Sequence, residues 1–236
     1  MVTLVTIPGI MSDGRTWASV AEGLKDHFSS IHVADTTQDD SLEEMAVRAL
    51  AGTEGDIVIL SHSMGGRVAM EMGRQAPDRV KAMVLASTGH KAANEAEPAH
   101  REARIAEANT DMTAYAENWV PKVVSPLNAK DLELVARVRA MVLDCSKEVH
   151  ERQNRALMTR PDASVYLPEF NFPVLLITGS EDKLSTEAAH AEIAALIPDA
   201  QSIVIDGSGH LLPFERPAEV LETVKGWLEK KGLIQD

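Results

Sequence analysis

The sequence predicts an α/β fold: a mostly parallel, doubly wound sheet of about six strands, with a block of helices inserted in the middle of the chain. Three observations lead there. Short, nearly continuously apolar, β-branched runs alternate with segments of helical periodicity, the pattern of strands buried on both faces. The alternation is interrupted between residues 91 and 171 by helical sequence without a strand. Several chemically useful residues fall just after strands, on what would be one edge of one sheet, where such folds bind ligands.

Residues 2–7, VTLVTI, form the first strand and stop at Pro8-Gly9. A polar turn, Ser12-Asp13-Gly14, leads into a helical stretch over 16–28, and 31–34 is a short second strand. Ser41 is placed to cap a helix over 42–51, with Glu44 three residues on completing a capping box. A strand over 57–60 follows, then a helix from Met64 to about Gln75, closed by Pro77. Residues 82–86, 174–178 and 202–205 read as three further strands, with an Ala-rich helix over 187–197 and an amphipathic helix over 218–230. At 236 residues the chain suits one domain. The expected division is a core of residues 1–90 and 172–236, and a helical insertion over 91–171 made of segments 95–108, 112–120, 131–143 and 146–158.

The stretch IVILSHSMGGRVAM, residues 57–70, runs from strand to helix through small residues, so the backbone reverses sharply with Ser63 at its apex. The first free N–H groups of the new helix then point at any negative oxygen forming beside that hydroxyl. The stretch resembles the G-x-S-x-G nucleophile elbow of the α/β-hydrolase superfamily, in its G-H-S-M-G-G form, with Ser61 replacing the first glycine. Serine is the next small choice, so the turn is expected to form with some added strain.

The resemblance implies the α/β-hydrolase fold and a triad in the chain order Ser, Asp, His. Asp182 follows the fifth strand in TGSEDKL, where a carboxylate also suits the start of the next helix. Glu181 is its rival, and the family's G-x-x-D spacing points to Asp182. His210, in DGSGHLLPFE, sits on a glycine-rich turn beyond the sixth strand, poor territory for a core histidine. An alcohol needs a base within hydrogen-bond reach, and the base needs a carboxylate to set its tautomer. Of the other histidines, His62 is expected to point away from Ser63. His100, His150 and His190 read as solvated helix faces, His27 and His32 flank the second strand, and His90 is a pocket candidate.

The family's oxyanion hole implies two backbone donors, the N–H of Met64 and that of Ile10, with Met11 the alternative to Ile10. The usual His-Gly opening of the second loop is Pro8-Gly9 here, so a bracing histidine is missing. The resemblance also makes residues 91–171 a cap that selects the substrate. Met112, Tyr115, Trp119, Met141, Leu157 and Met158 are expected to give it an apolar, deformable lining suited to an acyl chain or a compact hydrophobic group. The same helical spacing also serves packing, so only a subset can line the pocket. Met11 and Leu211, beside the oxyanion loop and His210, complete the candidate pocket.

Composition bounds the partners. Hydrophobic residues make 44% and charged residues 25% of the chain, as in globular proteins. Lys and Arg total 23 against 36 Asp and Glu, a net charge of −13, which argues against nucleic acid or an anionic membrane surface as partner. Cys145 is the only cysteine, so no intrachain disulfide can form, and it reads as a small apolar filler on a cap helix. The apolar N-terminal run is too short to span a bilayer and reads as a strand, not a signal peptide, so a cytoplasmic address is expected.

These observations lead to a serine hydrolase acting on a small or medium carboxylic ester through an acyl-enzyme. No metal, no organic cofactor and no partner beyond that small molecule are expected, in a monomer or homodimer. The same triad could instead cleave a carbon–carbon bond or an enol-lactone, or transfer an acyl group. A non-catalytic ligand-binding protein is the third reading. Epoxide hydrolysis and dehalogenation are disfavoured, because those relatives place an aspartate where Ser63 stands.

Overall fold

Every strand of the sheet is parallel to its neighbours, which is why the apolar runs are nearly continuous: crossover helices cover both faces. The computed structural model describes residues 2–235. In chain order the elements are β1 (Val2–Ile7), α1 (Ala18–Leu24), β2 (Ser30–Val33), α2 (Leu42–Ala51), β3 (Asp56–His62), α3 (Met64–Gln75) and β4 (Val80–Ala86). The insertion follows as α4 (Glu97–Thr110), α5 (Met112–Val123), α6 (Leu132–Asp144) and α7 (Lys147–Met158). The core resumes with β5 (Val174–Gly179), α8 (Glu187–Leu196), β6 (Ala200–Ile205), the short α9 (Leu212–Glu215) and α10 (Pro217–Lys230).

Strand order is β2-β1-β3-β4-β5-β6. The chain winds outward from β1 to β2, then crosses back and winds the other way from β3, so a crevice opens beyond the carboxyl ends of β1 and β3. Side chains alternate between two cores. Val5, Ile57, Ile59, Met83 and Leu176 face one way, beneath α2, α3 and α8. Leu4, Val58, Leu60, Val84 and Ile177 face the other, beneath α1 and α10. Each such side chain, fully buried, contributes about 1.5–3 kcal/mol. A third cluster ties the insertion to the core: Tyr115, Val120, Val138 and Met141 pack with Met11, Leu211 and Phe214.

Most departures from expectation are at element ends. The helical stretch over 16–28 is broken into a turn at Gly14–Thr16, α1, and a turn at Lys25–His27. β3 begins at Asp56 and continues through His62, because Ser61 and His62 still pair with β4 opposite Leu85 and Ala86. α5 runs three residues further than expected, to Val123. Among the described residues no helix is long and apolar enough to cross a membrane.

Candidate active site

At the end of β3 the backbone reverses through Ser63, which has φ 53° and ψ −117°. A non-glycine residue there costs about 1–3 kcal/mol and persists only where its surroundings impose it. The surroundings do. The Ser63 N–H donates to the Ala86 carbonyl at 2.9 Å, and its carbonyl accepts from the Thr88 hydroxyl at 2.7 Å. The Thr88 N–H in turn donates to His190 Nε2 at 3.0 Å. Gly65 brings the first turn of α3 against the end of β1, where an added Cβ would stand 2.5 Å from the Pro8 carbonyl oxygen. Ser61 is accommodated in place of glycine because its hydroxyl, fully buried, donates to the Val84 carbonyl at 2.7 Å.

Three side chains from separate strand ends meet in line. His210 Nε2 lies 2.9 Å from the Ser63 hydroxyl, and His210 Nδ1 lies 3.0 Å from Asp182 Oδ2. Asp182 Oδ1 also accepts from the N–H groups of Leu184 and Ser185, so the carboxylate both shapes its own turn and faces the histidine. Burial alone would raise its pKa; His210 and the two backbone donors outweigh that and hold it below the usual value. The loop bearing His210 is gripped by the buried Glu215, which accepts from Gly209 N–H at 3.0 Å and, on its other oxygen, from Ser125 N–H and Asn128 Nδ2. His62 packs behind, donating from Nε2 to the His210 carbonyl at 2.7 Å. Burial, and after it the proximity of His210, pushes its pKa down to about 3, so it stays neutral.

The loop after β1 separates the two candidate donors. The Met11 N–H donates to Gln153 Oε1 at 2.9 Å, and Gln153 Nε2 donates to the Thr36 carbonyl, so a buried glutamine of α7 braces the loop that lacks the histidine. Among the described residues, neither the Ile10 nor the Met64 N–H has a protein acceptor. The Met11 alternative is thereby occupied, and Ile10 is left free.

A cavity of about 450 Å³ opens over Ser63 and His210. Met11, Tyr115, Trp119 and Leu157 line it as expected. Met112, Met141, Met158, Leu211 and His90 do not. α6 contributes no residue to the cavity; Met141 is buried in the cluster that binds α5 to α6, which Leu211 joins and against which Met112 packs half-buried. Met158, at the end of α7, is half-buried outside it. His90 is buried beside a separate crevice with Tyr166 and Glu71.

Beside these apolar residues the lining carries a charged stripe that was not expected. α4 presents Glu97, His100, Arg101 and Arg104 to the cavity, a polar stripe at one-turn spacing, and Arg67, Asn154 and Arg160 join it. Glu97 accepts from Arg101 and from Arg160. Burial would raise its pKa, but the two guanidiniums hold it down at about 2.

Two histidines expected on solvated faces are fully buried. His150 packs edge-on against Tyr115, and His190 props Thr88; burial pushes each down to about 4. His100 is exposed at the rim. Cys145, half-buried at the end of α6, has its thiol pushed up by burial to about 12, which disfavours the thiolate near neutral pH. Among the described residues no group of three or more His, Cys, Asp or Glu is arranged to hold a metal ion.

A six-stranded parallel sheet with a serine on a strained strand-to-helix turn, and a histidine and a carboxylate behind it, defines a class. The chain belongs to the alpha/beta hydrolase family, whose model matches residues 4–223. It is similar to the N-formylmaleamate deformylase of Pseudomonas putida, 27% identical over 90% of this chain and 83% of that one. It is also 27% identical to a pimeloyl-[acyl-carrier protein] methyl ester esterase of Stenotrophomonas maltophilia, over 88% of this chain and 85% of the other. Among solved structures it resembles a thermophilic esterase from Thermogutta terrifontis, with a TM-score of 0.88 and 25% identity over 98% of this chain and 90% of that one. These relatives support hydrolysis as the general activity.

Proposed function

We propose that the protein is a serine hydrolase that cleaves a carboxylic ester through an acyl-enzyme. The observation that carries this reading is the line of hydrogen bonds from Ser63 through His210 to Asp182, 2.9 and 3.0 Å long. His210 Nε2 takes the hydroxyl proton as Ser63 Oγ bonds to the carbonyl carbon, and Asp182 stabilises the imidazolium through Nδ1. The carbonyl oxygen, now negative, is held by the N–H groups of Ile10 and Met64, each worth about 3–4 kcal/mol in such sites. Collapse breaks the ester C–O bond, the alkoxide leaves with the proton from Nε2, and a water attacks the acyl-enzyme by the same route in reverse. Residues 91–171 act as the cap that shapes the substrate's seat. A second reading is supported by the deformylase relative: the same three side chains acting on an activated amide.

Hydrolysis of p-nitrophenyl acetate by wild type and Ser63→Ala tests the proposal. The variant is expected to lose at least roughly 10⁴-fold in kcat. Full activity in Ser63→Ala would exclude the acyl-enzyme.

A further inference from the structure

The chain carries a net charge of −13, yet the cavity over Ser63 is bordered by four arginines, Arg67, Arg101, Arg104 and Arg160, and one glutamate. A cavity opposite in sign to the rest of the molecule concentrates anions. Glu97 accounts for two of the four, pairing with Arg101 at 2.6 Å and with Arg160 at 2.5 Å. Arg67 and Arg104 have no ion-pair partner among the described residues. Arg104 stacks over Trp119, 5.8 Å from its ring centroid.

Arg67 is the more exacting of the two. Its Nη1 donates to the Lys91 carbonyl at 2.9 Å, and Nη2 lies against Gly89, where a Cβ would come within 2.9 Å. The Lys91 carbonyl thus orients the fork, while among the described residues no carboxylate pairs directly with it. Burial first, and then repulsion from Arg160, pushes its pKa down to about 9. Leaving a charge uncompensated in such a place is costly unless a ligand supplies the partner. Arg67 stands one turn after Ser63 in α3, four residues on and about 6 Å along the helix axis, so both border the same cavity. A guanidinium's planar fork matches a carboxylate bidentately.

We propose that the substrate is a short ester bearing a free carboxylate a few bonds from the scissile carbonyl, and that Arg67 seats that carboxylate. This rests on the serine-hydrolase reading and names its substrate class. Arg101 and Arg160 share the single negative charge of Glu97, so the three together add one net positive charge to the cavity's border.

The test compares monoethyl succinate with ethyl levulinate, an uncharged ester of the same length, by acid release in wild type, Arg67→Gln and Arg67→Lys. Wild type is expected to prefer the acid ester at least tenfold in kcat/KM. Arg67→Gln is expected to cut that ratio roughly 10- to 100-fold, and Arg67→Lys to restore part of it. A ratio at or below one in wild type, or one unchanged in Arg67→Gln, overturns the proposal while ester turnover keeps the hydrolase reading. Calorimetry with succinate, uncharged succinamide and inorganic phosphate reads the seat without turnover. Succinate binding to wild type and Ser63→Ala, lost in Arg67→Gln, supports the carboxylate seat even if neither ester is cleaved, an outcome that overturns the ester class and leaves the seat standing. Succinamide binding as tightly as succinate, or phosphate more tightly, overturns it. Should Arg67→Gln not fold, the wild-type ratio and the succinate–succinamide pair decide.

Discussion

The two walls of the cavity are built on different terms. On the sheet side, Ser63 and His210, with Asp182 behind them, stand on turns directly after β3, β6 and β5. Asp182 is held by its own turn, Ser63 by Ala86 of the neighbouring β4 and by Thr88, and the His210 loop by Glu215. On the helical side, Glu97, Arg101 and Arg104 stand on successive turns of α4, and their direction is set by how α4 packs on α7. A strand end in a parallel sheet has a defined edge and direction, whereas a helix presents a face to the cavity only because another helix covers the opposite one. Position is thus set by the sheet edge on one wall and by helix-on-helix packing on the other.

If that contrast holds, damage to the sheet-side wall is chemical and damage to the helical wall is structural. The largest effect is expected from Asp182→Asn, which leaves the shape intact but removes the charge facing His210 Nδ1: kcat falls about 10⁴-fold in ester hydrolysis. A fall of less than tenfold would mean that the carboxylate serves its turn alone. On the other wall, Glu97→Gln leaves Arg101 and Arg160 without their shared counterion, and unfolding in urea is expected to show a loss of about 2 kcal/mol. No loss would show that solvent reaches both guanidiniums.

A finer probe is pH. His190 is neutral when folded, its pKa pushed down to about 4, and titrates near 6.5 when unfolded, so the unfolded chain binds the extra proton between those values. Its contribution is complete above pH 6.5 and is lost as pH falls towards 4. His190→Gln keeps an acceptor for the Thr88 N–H and cannot take up a proton. Between pH 7 and pH 5 the variant is expected to lose about 2 kcal/mol less stability than wild type, measured by urea unfolding at each pH. Equal losses would place the acid sensitivity elsewhere, with His150 the next candidate at a similarly lowered pKa.

The legible part of the site follows the same division. Ser63 is readable because a β-branched run, a small-residue turn and an apolar helix occupy one unbroken stretch, and Ser61 departs from the pattern without harm because β4 supplies its acceptor. Asp182 is readable from its place after β5, although turn chemistry suits the same carboxylate; its two oxygens do both jobs. Gln153 is not readable, since nothing in α7 marks which residue reaches across to Met11. The charged stripe of α4 is visible as periodicity, but charge at that spacing reads as a solvated face, and likewise His150 and His190 read as surface until their neighbours are known.

What the sequence determined by itself is the alternation of strands and helices, the parallel sheet, the elbow and the edge on which the three polar residues fall. All of these depend on residues adjacent along the chain and on the two-residue and 3.6-residue periods. Tertiary structure decided which N–H groups stay free, which methionines are buried in packing, and that the cavity is lined by arginines. Those follow from contacts between segments far apart in the chain, such as Arg160 with Glu97 and Gln153 with Met11, for which the local pattern carries no record.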